Sequence, residues 1–162
     1  MATIRPATEA DLPAINAIYN HYVLTSTCTY QYEPETEAGR RAWFAEKSEK
    51  HPVVVAEEDG QVLGWGALSP FRNREGYRFT VEASVYIRHD RQRKGIGRAI
   101  MQELIERARK LGYRVMIGGA SAEQTASIAL QESLGFEHVA RFREIGYKFD
   151  QWLDVVFLQL KL

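Results

Sequence analysis

The sequence predicts a mixed α/β (α+β) fold, and three observations carry that prediction. Helical and strand-like hydrophobic periods alternate along the chain, a long amphipathic helix follows directly on a β-branched strand, and the C-terminal part reads as a closing pair of strands. At 162 residues, with 45% hydrophobic and 26% charged side chains, the chain suits one globular domain spanning residues 1–162.

Ile4 to Ala7 is a short extended start that Pro6 confines to a sheet edge or a strand beginning. Thr8 reads as a helix cap with Asp11 three residues later, and Leu12, Ile15, Ile18, Tyr19 and Tyr22 then mark one apolar helix face. Thr25 to Pro34 lacks a period and reads as a loop. A second helix is expected over Thr36 to Ser48 with Trp43 and Phe44 inward. Pro52–Ala56 and Gln61–Leu68 are strands, joined by Glu58-Asp59-Gly60, an Asp-Gly hairpin signal. Thr80–Ile87 is a third strand, rich in β-branched and aromatic residues. The clearest helix runs from Gly95 to Leu111, with Ile96, Ile100, Leu104, Ala108 and Leu111 in one stripe and Gly112 ending it. Tyr113–Ile117 reads as a strand and Glu123–Ser133 as a helix stopped by Gly135. Val139–Lys148 and Trp152–Leu160 form the closing antiparallel pair.

Bulk properties narrow the function. Lys+Arg and Asp+Glu are equal at 21 each, which argues against a nucleic-acid or anionic-membrane partner while permitting a local basic site. The single cysteine, Cys28, leaves no disulfide framework and suits a reducing, cytoplasmic compartment. The first residues carry no signal-peptide core, and no apolar run reaches the roughly 18 residues of a membrane span. His21, His51, His89 and His138 are scattered without metal-ligand spacing, so no metal is expected.

The informative unit is strand, basic glycine loop, long helix. Gly95 and Gly97 allow a tight turn with close backbone approach, and amides at a helix start carry the positive end of the dipole. Arg91, Arg93, Lys94 and Arg98 add positive charge in the same small space. A pyrophosphate is the natural guest. The third glycine of a dinucleotide fingerprint and the Gly-Lys-Ser/Thr of a P-loop are both missing. On these residues alone the guest stays open, as does a plain solvated basic turn.

Gln92-Arg93-Lys94-Gly95-Ile96-Gly97, after a Val-Tyr-Ile strand, resembles the signature of the GNAT superfamily of N-acetyltransferases, and Leu134-Gly135-Phe136 matches it too. Further segments resemble the phosphinothricin and methionine sulfoximine acetyltransferase branch: Phe71-Arg72, Thr80 to Ile87, Ala126-Ser127-Ile128 and Gly146 to Asp154. The resemblance implies a GNAT fold, a central mixed, mostly antiparallel twisted sheet splayed at the cofactor strand and flanked by helices. It implies acetyl-CoA as co-substrate, with Val85, Tyr86 and Ile87 on the pantetheine arm and Arg93, Lys94, Gly95, Ile96, Gly97 and Arg98 on the pyrophosphate. Gln124 would also touch the cofactor, although the family usually has Asn there. Gln131 stands where the family often has His, so a proton-shuttling role for that side chain is not expected.

The resemblance further implies Glu82 as general base for a neutral amine, with an outward carboxylate paired to an arginine as the plain alternative. Arg72, Asn73 and Arg74, with Glu82, Ala83 and Ser84, would bind an amino-acid acceptor, Arg72 as a fork for its carboxylate. Tyr30, Tyr32 and Glu33 would cover the acceptor pocket. Tyr147 and Trp152 are expected in packing or in the interface of a homodimer. The expected reaction is acetyl transfer to the α-amino group of a small amino acid or analogue. A protein N-terminus, a polyamine, or a catalytically weak CoA-binding module are the alternatives.

Overall fold

The computed structural model describes residues 1–162. Seven strands form one sheet in the order β1-β2-β3-β4-β5-β7-β6. They are β1 (Thr3–Pro6), β2 (Val53–Glu58), β3 (Gln61–Pro70), β4 (Thr80–Ile87), β5 (Val115–Ser121), β6 (Glu137–Lys148) and β7 (Gln151–Lys161). The helices are α1 (Leu12–Thr25), α2 (Glu37–Ala45), α3 (Ile96–Lys110) and α4 (Thr125–Ser133). Every neighbouring pair is antiparallel except β4 and β5, which are parallel and joined through α3. A parallel pair needs such a crossover, and the long amphipathic helix after the third predicted strand supplies it.

The β4–β5 ladder stops early. Thr80, Val81 and Glu82 pair with Val115, Met116 and Ile117, and no rung follows, while β3 stays paired to β4 as far as Ile87. From Ala83 to Ile87 one edge of β4 therefore faces a gap inside the sheet. This is the expected splay.

Each face of the sheet has its own core. On one side α3 inserts Ile100 and Leu104 against Leu68, Val81, Met116 and Leu158, all fully buried. Gly64 and Gly66 of β3 permit this approach, since a Cβ on Gly66 would lie 2.5 Å from Ile100 Cγ2 and 3.0 Å from Leu104 Cδ1. On the other side Leu12, Ile15, Ile18 and Tyr22 of α1 pack on Val53, Val55, Trp65 and Ala67. No helix is long and apolar enough to cross a membrane.

Several local expectations change. Thr8 caps with Asp11 three residues later, as expected, but what it opens is a 3-10 turn (Glu9–Asp11) ahead of α1. The Asp11 carboxylate accepts from both terminal nitrogens of Arg5 (2.8 and 2.9 Å) and from the Thr8 N–H (2.8 Å). The second helix is shorter than expected, ending at Ala45; Thr36 caps it by accepting the Gly39 N–H at 3.0 Å. Leu111 leaves the α3 stripe, 41% exposed at the C-cap. The fifth strand starts at Val115; Tyr113 precedes it, packed at the edge of the core with its hydroxyl donating to the Lys50 carbonyl. Trp152 packs in neither core; it is 66% exposed and touches Tyr147 (ring centroids 4.7 Å apart). The Asp59-Gly60 hairpin has φ of 51° and 76°, the two positive values an Asp-Gly turn favours.

Candidate active site

The basic loop sits at the C-terminal end of β4, beside the mouth of the gap. Gly95 is the N-cap of α3 with φ 79°, a left-handed conformation that glycine adopts at no steric cost, and no atom lies within 4 Å of where its Cβ would be. The first amides of α3 consequently open toward solvent, where they suit an anion. Arg93 and Lys94 are exposed and belong to none of the protein's ion pairs. Arg98 is steered by a 2.8 Å hydrogen bond from its Nη1 to Ser133 Oγ. Gln92 contributes differently from its neighbours. Its Nε2 donates to the Tyr22 hydroxyl at 2.7 Å, and that hydroxyl donates to the Ile87 carbonyl, tying loop, helix and strand together. This donor set and open glycine turn fit a pyrophosphate.

Along β4 the side chains alternate. Ala83, Val85 and Ile87 pack toward α3, whereas Tyr86 points to the α1 side, stacked on Trp65 at 5.0 Å and edge-on to Tyr19 at 5.2 Å. The Tyr86 side chain is thus a packing residue, and burial pushes its hydroxyl well above the usual tyrosine range. Glu82 shares that face at the last rung before the gap, between Ser69 of β3 and Ile117 of β5. It has neither a hydrogen-bond nor an ion-pair partner, so the arginine-paired alternative does not hold. Burial raises its carboxyl above the ordinary 4.5. Ser84 lies midway between Glu82 and Tyr86, opposite Ala67, so small side chains floor the space between them.

Pro70 pairs with Val81, which brings the following segment to the Glu82 end. Arg72 there is exposed, its guanidinium resting 5.3 Å from the Phe71 ring and 5.9 Å from the Tyr77 ring, with no carboxylate partner. Asn73 and Arg74 are exposed as well, and Arg74 caps a 3-10 turn (Glu75–Tyr77). The structure therefore places Glu82, Ala83 and Ser84 at one end of the gap and Arg93 to Arg98 at the other, with Arg72 in the segment that leaves β3 beyond the Pro70–Val81 rung. Asn73 and Arg74 lie near but have no defined contact.

Gln124 stands apart. Its Nε2 donates to Thr27 Oγ1 (2.9 Å) and Ser26 Oγ (3.4 Å), so the amide is engaged with the Ser26–Pro34 loop. That loop is pinned further. The buried Lys148 donates to the Ser26 and Thr29 carbonyls at 2.7 Å each, and the Tyr30 hydroxyl donates to Ser121 Oγ at 2.8 Å. Tyr32 donates to the Tyr147 carbonyl and stays exposed, as does Glu33. Gln131 is buried against Gly118 of β5 and its Oε1 has no partner.

Sequence reasoning missed Tyr22, Lys148 and, above all, Arg40 and Lys47. Arg40 and Trp43 fall at i and i+3 along α2, with Lys47 two residues past its end, a spacing that could have been read as one face.

Residues 15–136 match the family model described as Acetyltransferase (GNAT) family. The chain is 44% identical over 163 residues to an L-methionine sulfoximine/L-methionine sulfone acetyltransferase of Pseudomonas aeruginosa, covering 99% of this chain and 95% of that protein. The fold is similar to a solved phosphinothricin acetyltransferase from Sinorhizobium meliloti in complex with acetyl-CoA (TM-score 0.96, 40% identity, 99% of this chain and 88% of that one). It is equally similar to a ribosomal-protein-alanine N-acetyltransferase from Brucella melitensis (TM-score 0.96, 42% identity, 99% of both chains).

Proposed function

Starting from the fact that this chain belongs to the GNAT family of acetyltransferases, we propose that it moves acetyl from acetyl-CoA to the α-amino group of a small amino acid or analogue of the methionine sulfone, methionine sulfoximine or phosphinothricin kind. The observation that carries the acceptor is the unpaired Glu82 carboxylate at the last rung before the gap, with an unpaired Arg72 guanidinium in the segment that follows the Pro70–Val81 rung. Arg72 holds the acceptor carboxylate in its planar fork. The acceptor nitrogen gives a proton, through water, to Glu82 and attacks the thioester carbonyl carbon. The C–N bond forms, the C–S bond breaks, and the sulfur leaves with CoA. Val85 to Ile87 offer their free backbone edge to the pantetheine arm and Arg93 to Arg98 hold the pyrophosphate. Gln124 acts indirectly, by fixing the Ser26–Pro34 loop that covers the acceptor pocket.

The same reading takes residues 1–162 as one acetyltransferase domain of a cytoplasmic homodimer. The support for a dimer is the exposed apolar band of Phe142, Ile145, Tyr147, Phe149 and Trp152 along β6 and β7. Acetylation of a protein N-terminal alanine is a second reading, favoured by the Brucella likeness. An N-terminal peptide substrate has no α-carboxylate for Arg72, which weighs against it.

Acetyl-CoA at about 100 times its Kd should stabilise the fold by about 2.7 kcal/mol, a rise of about 5–10 °C in thermal melts; no shift at millimolar cofactor removes the cofactor assignment. The acceptor is tested by steady-state kinetics of Arg72→Ala. Losing a charged hydrogen-bonded contact is expected to raise KM for methionine sulfone about 10- to 100-fold while KM for acetyl-CoA stays put. Equal rises in both would argue against the clamp, and efficient acetylation of an alanine-terminated peptide by the wild type would favour the second reading.

A further inference from the structure

The α2 helix delivers a cation that the reaction outlined above leaves unused. Arg40 is 5% exposed and has no carboxylate partner; its guanidinium makes one hydrogen bond, from Nε to Asn16 Oδ1 at 3.1 Å. Its guanidinium carbon lies 4.8 Å from the Tyr19 ring centroid, 4.6 Å from that of Trp43 and 5.5 Å from that of Trp65. Such rings solvate a cation by their faces but accept no directed hydrogen bond at the two terminal nitrogens. Beside it Trp65, 3% exposed, has an indole N–H with no partner at all. Buried donors of this kind are rare, because leaving them unmade forfeits the full desolvation cost.

Neighbouring acceptors are already committed. The Tyr19 hydroxyl is shared with Thr29 Oγ1 and donates to Gln31 Oε1, both at 2.8 Å. The Glu35 carboxylate accepts the Thr36 N–H through one oxygen and, although its charge acts on the Arg40 guanidinium, makes no ion pair with it. Lys47, two residues past the end of α2, adds a second cation. It lies 5.0 Å from the Trp43 ring centroid, and its Nζ is tethered to the Leu68 carbonyl and Ser69 Oγ at 3.0 Å each. Burial pushes its ammonium down to about 8. Trp65 pairs with Tyr86 in the β3–β4 register, and Ser69 with Glu82. The unmatched donors therefore adjoin the Ala67–Ser84 floor. Ser84 is two residues from Tyr86, about 7 Å at strand rise, the reach of one amino-acid side chain.

We propose that Arg40, with the Trp65 indole N–H, receives the oxygen-bearing end of the acceptor side chain, a sulfone, sulfoximine or phosphinate, while the amino group faces Glu82. The two unmatched donors favour strongly polarised or anionic oxygens over a bare thioether. This specificity rests on the amino-acid acceptor proposed above.

Initial rates with methionine sulfone and with methionine test it. The wild type should prefer the sulfone by at least about tenfold in kcat/KM, the discrimination expected when a buried donor is left unpaired. Arg40→Met should erase about 10- to 100-fold of the sulfone rate constant while changing that for methionine less than threefold and leaving KM for acetyl-CoA unchanged; Arg40→Lys should keep part of the preference. In the folded wild type, the Trp65 indole N–H resonance should shift on saturation with the sulfone and not with methionine, which needs no variant to fold. Turnover of both acceptors without preference, or parallel losses in Arg40→Met, overturns the inference alone. Turnover of neither overturns the acceptor reading and the inference with it.

Discussion

Glu82→Gln is expected to cut turnover about 10²- to 10⁴-fold, the span of a general base, and at the same time to raise thermal stability at neutral pH. The two effects share one cause. Glu82 is partly buried at the last β4–β5 rung with no cation and no hydrogen-bond donor, and desolvation raises its pKa. With the folded pKa above the unfolded 4.5, the folded state keeps a proton that the unfolded chain releases within that window. Stability from this group is therefore present at low pH, falls as pH rises through the window, and above it the bare carboxylate burdens the fold. Gln removes that burden at pH 7 and leaves little difference near pH 4. The raised pKa also places the acid limb of kcat/KM above the range of an ordinary glutamate. Parallel pH–rate profiles and melting curves at pH 5 and 7 decide the matter. Wild-type turnover in the variant would dismiss Glu82 as base, and an unaltered melting point at pH 7 would dismiss the desolvation account.

Gly66→Ala is expected to be the most damaging single methyl on the α3 side, costing about 1–3 kcal/mol, or about 2–12 °C in a chain of this size. The new Cβ would stand 2.5 Å from Ile100 Cγ2, 3.0 Å from Leu104 Cδ1 and 3.2 Å from the Ser84 carbonyl. Ile100 and Leu104 are fully buried, and Ile100 is β-branched, so neither can rotate aside cheaply. The relief open to the fold is to lift α3 from the sheet, and that moves Gly95 and the helix-start amides with it. KM for acetyl-CoA should then rise together with the loss in urea midpoint. Gly76→Ala is the control: nothing lies within 4 Å of its Cβ position, and its stability should change by no more than about 0.5 kcal/mol. Equal midpoints for the two variants would refute the close-approach argument.

Much of this was legible in the sequence because it is local. The Asp59-Gly60 turn, the α3 stripe and the left-handed Gly95 each follow from a few adjacent residues. Glu82 and the Phe71-Arg72 segment came from family likeness, and the register added how the chain connects them: Ser69 and Pro70 of β3 lie opposite Glu82 and Val81, and the segment follows. What escaped depends on partners distant in sequence. Lys148 reaches back to Ser26 and Thr29, and Tyr22 bridges Gln92 to Ile87, pairings that no local period encodes. Arg40 was passed over because a charged residue in an exposed-looking helix is read as solvated. Only the aromatic rings that close over it from α1 and β3 make it a buried cation.

The interrupted β4–β5 ladder sets a filter on what can dock there. An open strand edge on the outside of a sheet accepts any extended peptide, including another copy of itself. Here the vacancy is walled by β5, with helices above and below, and a full peptide strand would bring side chains on both faces into those helices. A thin, unbranched chain with amide groups spaced along it can complete the pairing without that collision. The fold thus keeps a sticky backbone edge in its interior while denying it to other proteins.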